Sequence, residues 1–115
     1  MNFKSQNSIY YIEDKILTIA FADSKKPDPT TYLILQREID NSELYYYEFC
    51  SREFSNEGGI KKVVIKNNLL EITFNDNQNI AKQGTKVIQI YFDENKDITQ
   101  KLIDLFSDSD VELSP

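Results

Sequence analysis

The chain has 115 residues, 40% hydrophobic and 28% charged, with a formal net charge of −6. That length makes one domain, with enough core to be stable without metals or disulfides, and the ordinary composition argues against disorder. The negative balance excludes nucleic acid as the main partner and an anionic membrane surface as a seat, because both require clustered lysine and arginine. An acidic surface keeps a protein soluble and also attracts basic partners.

A single cysteine, Cys50, leaves no internal disulfide and suits a reducing compartment. The opening "MNFKSQNSIYY" has no basic region followed by an apolar run, so no signal peptide is expected. No apolar run is long enough for a transmembrane helix. The expected location is the cytoplasm.

Short β-type runs follow one another from the start. "SIYYI" and "ILTIAFA" flank Glu13-Asp14, which predicts a tight hairpin there. "SKKPDP" reads as an exposed loop, since Pro27 and Pro29 cannot donate ladder hydrogen bonds. "TYLILQREI" and "ELYYYEF" come next, joined around Asp40-Asn41. In the second of these strands Tyr45, Tyr47 and Phe49 share one face, while Leu44, Tyr46 and Glu48 share the other. A glutamate is rarely buried without a partner, so the Glu48 face is the one expected to meet solvent. A two-residue turn at Asp40-Asn41 would put Leu35 across from Tyr46. Tyr46 then either packs there or stands as an exposed aromatic beside an acid.

Gly58-Gly59 precedes "KKVVIK", which is separated from "LLEITF" by Asn67-Asn68. Asparagine tolerates the positive φ of a two-residue hairpin turn. The implied register sets Ile65 against Leu70 and Val63 against Ile72 on one side, with Lys62 against Thr73 and Val64 against Glu71 on the other. "DNQNIAKQG" predicts a loop or one helical turn ending at Gly84, and "KVIQIYF" a strand. "DITQKLIDLF" changes period. Ile98, Leu102, Leu105 and Phe106 form one stripe of an amphipathic helix, with Asp97 and Gln100 resembling a capping box. The polar tail "SDSDVELSP" is expected to fray.

The fold class these elements predict is α+β. About seven mainly antiparallel strands form a bent sheet or partly open barrel, capped by one C-terminal helix. The single globular domain spans residues 1–107 and residues 108–115 are a polar tail. A pleckstrin-homology-like arrangement has the same element order.

Chemistry is sparse. The chain has no histidine, which removes Ser-His-Asp and Cys-His arrangements and the commonest zinc ligand. Cys50 as a nucleophile would need a base or a lowered pKa. Glu13-Asp14, Asp93-Glu94 and Asp108 with Asp110 read as solvated turns, a helix entrance and a tail, not as a converging acid–base pair. "DSDVE" lacks the glycine and spacing of an EF-hand loop. Gly58-Gly59 is followed by Ile60 and a strand, not by the lysine, hydroxyl residue and helix of a phosphate loop. The doublet is a backbone device for a turn or bulge. No catalytic residue, metal site or cofactor is expected, and the chain reads as no enzyme.

The order of features then resembles a known family. A hairpin ending in "FAD" leads to "TYLILQR", a tyrosine-rich strand, Ser55-x-x-Gly58-Gly59-Ile60, "LLEITF", and the closing "IYFDEN…LIDLF". This is similar to the immunity protein 10 family of bacterial polymorphic toxin systems, from about Ile16 to Phe106. Before the glycine doublet, where that family commonly carries an aromatic residue, this chain has Glu57. The resemblance implies a non-enzymatic cytoplasmic protein that binds a cognate toxin domain and blocks it.

Two groups of residues are candidates for that contact. Arg37, Glu38, Tyr46, Glu48, Glu53 and Glu57 would make an acidic–aromatic patch. Asp93, Glu94 and Asp97 belong to a segment, Asp93 to Pro115, with seven acids and two lysines, nearly all of the chain's net charge. Such acidity would steer a basic toxin. The alternative reading is a small acidic adaptor module, pleckstrin-homology-like, that binds a peptide or protein partner.

Overall fold

Asn67-Asn68 closes a hairpin between Ile60–Lys66 and Leu69–Phe74, with Ile65 opposite Leu70, Val63 opposite Ile72, Lys62 opposite Thr73 and Val64 opposite Glu71. Every one of these pairings is the one the alternation of apolar and polar residues dictates. The computed structural model describes residues 1–40 and 44–115. Its strands are β1 (Asn2–Lys4), β2 (Asn7–Glu13), β3 (Ile16–Ala22), β4 (Tyr32–Glu38), β5 (Tyr45–Phe49), β6 (Ser51–Glu57), β7 (Ile60–Lys66), β8 (Leu69–Phe74), β9 (Val87–Tyr91) and β10 (Glu112–Ser114). The helices are the single turn α1 (Asn79–Lys82) and α2 (Lys96–Phe106).

The fold is mostly β, but the single bent sheet or open barrel of about seven strands is corrected to two sheets of five without a closed barrel. Sheet B is the antiparallel meander β2-β3-β4-β5-β6. Sheet A has the order β1-β9-β8-β7-β10. Its centre is antiparallel, and the two terminal strands join it in parallel, β1 on β9 and β10 on β7. The frayed tail is corrected as well. β10 pairs with β7, and Val111 just before it is buried. Three-residue strands carry too little pattern to be read from sequence, and polar β6 ("SREFSNE") reads as a loop.

The sheets face each other across one core. Three aromatic pairs join them: Phe21 with Phe92 at 5.3 Å, Tyr47 with Phe74 at 4.9 Å, and Phe49 with Phe3 at 6.4 Å between ring centroids. Tilted aromatic contacts of this kind add to the burial of their area. Helix α2 packs against β2, β3 and β7 and buries Ile98, Leu102, Leu105 and Phe106, the stripe its sequence predicts. Its cap differs from the expected one. Asn95, not Asp97, accepts from the backbone N–H groups of Asp97 (3.0 Å) and Ile98 (3.2 Å).

The β2–β3 turn lies one residue later than expected, at Asp14-Lys15, both at positive φ (52° and 64°), with Glu13 paired to Ile16. The β4–β5 connection includes Asn41, outside the described residues. Its outcome is visible in the register, which sets Tyr46 opposite Gln36 and Tyr47 opposite Leu35. Leu35 is therefore not the neighbour of Tyr46, which corrects that pairing by one residue.

Gly58 and Gly59 link β6 to β7, so the doublet is the point where the chain leaves sheet B for sheet A. Both have positive φ, 76° and 99°. The Gly58 N–H donates to the Tyr45 carbonyl at 2.8 Å, and the Gly59 carbonyl accepts from Asn75 at 2.9 Å. A Cβ on Gly59 would stand 2.3 Å from the Gln78 side chain. The backbone thus changes sheets through two positive-φ residues, the second of which leaves no room for a side chain.

Candidate partner-binding face

Alternation along β4 and β5 divides the candidate residues cleanly. Leu33, Leu35 and Arg37 share the inner side with Tyr45, Tyr47 and Phe49, whereas Ile34, Gln36 and Glu38 share the outer side with Tyr46 and Glu48. Pairing extends the outer side to Ile9, Tyr11 and Glu13 of β2, Ile16, Thr18 and Ala20 of β3, and Ser55 and Glu57 of β6. The expectation that Tyr45, Tyr47 and Phe49 are core holds, at 2%, 1% and 4% exposure.

The inner tyrosines hold the sheet crossover with their polar tips. The Tyr45 hydroxyl accepts from the Ile60 N–H at 2.8 Å and donates to the Ile60 carbonyl at 3.3 Å. The Tyr47 hydroxyl donates to Gln78 Oε1 at 2.5 Å. Burial pushes each phenol up to about 12 from its ordinary 10.

The outer face has a different chemistry. Glu48 accepts from the hydroxyls of Tyr32 at 2.5 Å and Tyr46 at 2.8 Å, making a carboxylate held between two rings. Burial and then the bond to Glu48 raise the Tyr32 phenol to about 12, and the Tyr46 phenol moves in the same direction for the same causes. Gln36 donates to Thr18 Oγ1 at 3.1 Å in the middle of the sheet. Around these fixed groups stand the exposed apolar side chains Ile9, Tyr11 and Ile16. Glu13, Glu38, Glu48 and Glu57 occupy outer positions, and among the described residues those of β2 to β5 include no lysine or arginine. The outer side of sheet A contrasts with it: Lys4, Lys62 and Lys66 lie there.

The expected residues are thus only partly brought together. Glu38, Tyr46, Glu48 and Glu57 lie on the one outer face, and Glu53 is exposed on the edge strand β6. Arg37 turns inward and serves α2, donating through Nη1 to the Leu105 carbonyl at 2.7 Å and to the Ser107 carbonyl. Asp93, Glu94 and Asp97 lie apart in sequence and structure, exposed where β9 leads into α2, with Asp93 paired to Lys4 at 3.2 Å. Ile9, Tyr11, Ile16 and Tyr32 belong to the face but were not expected in it. "NSIYYIE" carries apolar residues at four consecutive positions, more than one buried side of a strand can use, and that was the available signal.

Other places in the molecule offer less. Cys50, at φ 65° in the bulge between β5 and β6, has its thiol pushed up by burial, the reverse of an activated nucleophile. Among the described residues no group of three or more Cys, Asp or Glu could hold a metal ion. A cleft of about 440 Å³ opens between the β2–β3 hairpin and α2, lined by Ile12, Leu17, Arg37, Lys101 and Leu105. Its guanidinium is already committed to the helix carbonyls. Among the described residues no helix is long and apolar enough to cross a membrane.

What this geometry defines is a two-sheet domain that presents one broad acidic–aromatic sheet face. A family model described as Immunity protein 10 matches residues 5–100, from just before β2 into α2, and the chain belongs to that family. Comparison with curated proteins gives no match.

Proposed function

We propose that this chain is a cytoplasmic immunity protein that neutralises a cognate toxin domain by binding it without catalysis. The family match over residues 5–100 is the observation that carries this reading. The outer face of sheet B is the contact surface. Tyr46, braced by Glu48, is its aromatic anchor, and Ile9, Tyr11 and Ile16 supply apolar area around it. Tyrosine suits an anchor because it offers large area at little entropic cost. Glu13, Glu38, Glu48 and Glu57 select a basic toxin surface, and Glu53, Asp93, Glu94 and Asp97 extend the field that steers it.

The test is co-expression with a candidate toxin domain identified from the gene neighbourhood of this chain. Growth should be restored only when the chain is present, and the two proteins should co-purify one to one. Neutral-pH titration should show association slowing as salt rises. Continued toxicity with no complex would overturn the reading.

A further inference from the structure

Among the described residues four strand edges border the two sheets, and three are blunted. In sheet A the edge strands β1 and β10 have three residues each. In sheet B, β6 carries Arg52, Glu53 and Glu57 and is interrupted by the register shift at Glu48/Phe49. The fourth edge, β2, has none of these devices. It runs for seven residues in unbroken register with β3, contains no lysine, arginine or proline, and bears its one charge at the last position, Glu13. Every residue from Ile9 to Ile16 is exposed, with Ile9 at 43%, Tyr10 at 37%, Tyr11 at 46% and Ile12 at 52%. Each antiparallel strand turns alternate N–H and C=O groups away from its neighbour, so β2 presents a row of unused ladder groups on its far side. Long, flat, apolar edges of this kind recruit another strand.

We infer that the β2 edge pairs with β2 of a second copy, joining two sheets B into one ten-stranded sheet. The strand is complementary to itself. Set antiparallel about a two-fold axis at Tyr10, all seven residues find a partner. Ile9 meets the partner subunit's Tyr11, Ser8 meets the partner subunit's Ile12, and Tyr10 meets the partner subunit's Tyr10. Glu13 falls opposite the partner subunit's Asn7, so no like charges face each other along the paired strands despite the acidity of the whole chain. A basic partner would gain little from this nearly neutral edge, which separates it from the acidic outer face. Lys101 of α2 stands over the Tyr10 ring at 5.8 Å and holds it beside the axis before association. The dimer does not depend on the toxin reading, because the outer face stays open when the edges join.

Sedimentation of the full chain from micromolar to millimolar concentration tests this, with the double variant Ile9→Lys/Tyr11→Lys beside it. The wild type should form dimers. The variant, which sets lysine against lysine in two pairs, should weaken association at least about tenfold with an unchanged thermal midpoint. A covalent check uses Tyr10→Cys in a Cys50→Ser background, which should oxidise to a linked dimer, whereas Glu53→Cys on β6 in the same background should not. A wild type that stays monomeric throughout overturns the proposal, as does a folded double variant that dimerises undiminished. If the double variant fails to fold, absence of the Tyr10→Cys link overturns it.

Discussion

Arg37 of β4 donates to the carbonyl of Leu105 at 2.7 Å, and so a strand of sheet B supplies the cation at the C-terminus of α2. The last turn of the helix has no basic residue of its own. Its final carbonyls lack intrahelical partners and carry the negative end of the helix dipole, and the guanidinium satisfies that of Leu105. The fork also reaches the carbonyls of Ser107 and Asp108, where the chain turns toward β10. Arg37→Ala should therefore lower stability by about 2 kcal/mol, the range for hydrogen bonds to a charged group. Arg37→Lys should recover only part, because an ammonium cannot reproduce the planar fork. Denaturant midpoints decide this. An Arg37→Ala protein of wild-type stability but weakened toxin affinity would return Arg37 to the interface.

The glycine doublet separates into two unequal positions. Both residues have positive φ, so alanine at either is strained by about 1 kcal/mol or more. Only Gly59 adds a collision, since its Cβ would fall 2.3 Å from Gln78 Cδ, whereas that of Gly58 meets nothing nearer than Leu44 Cδ2 at 3.8 Å. Gln78 is buried and holds the Tyr47 hydroxyl, so it cannot move away freely. Gly59→Ala should cost clearly more than Gly58→Ala in thermal unfolding. Equal losses would mean that Gln78 yields and that backbone strain alone sets the cost.

Much of this arrangement was legible in the sequence, and its limits are physical. Period-two alternation fixed the faces of β5, β7 and β8, and period 3.6 fixed the buried stripe of α2, because each repeats over enough residues to name a side. The Asn67-Asn68 turn carried its own register. What alternation cannot supply is the partner of a strand. Nothing in "GGI" says that the chain changes sheets there, and nothing in "NFK" or "ELS" says that the two ends of the chain border the same sheet. Arg37 shows the same limit at the candidate site. Its place beside Glu38 suggested one patch, yet neighbours in a strand point to opposite sides, and the inner side at that position belongs to the helix end.

The buried tyrosines set a high-pH limit on stability. Burial holds the phenols of Tyr45 and Tyr47 near 12, against 10 in the unfolded chain. The folded protein therefore keeps protons that the unfolded chain releases. Stability is fully present below pH 10 and is lost as the pH rises from 10 toward about 12. Tyr47→Phe should be less stable at neutral pH, because Gln78 loses its partner, but should fall less steeply above pH 10. Thermal midpoints along that range make the comparison, and parallel curves for the two proteins would contradict the assignment.

Tyr46 offers the sharpest test of the outer face, because its two possible roles differ in what a substitution disturbs. The ring lies half-buried opposite Gln36 and Glu57, and its hydroxyl donates to Glu48, a bond made at the surface and not in the core. Removing it should cost the fold no more than about 1.5 kcal/mol, the upper range of an ordinary hydrogen bond. An anchor at the centre of an interface costs more when truncated, about 2 kcal/mol or above in binding. Tyr46→Ala should thus weaken toxin affinity roughly thirtyfold while the protein remains folded. Tyr46→Phe separates the contributions further. If the ring is the anchor, most affinity survives; if the hydroxyl is needed to set Glu48 toward a basic partner, Phe behaves like Ala and the salt dependence flattens. Affinity per folded molecule that is unchanged in both variants would place the grip elsewhere, with Asp93, Glu94 and Asp97 at the entrance to α2 the next residues to alter.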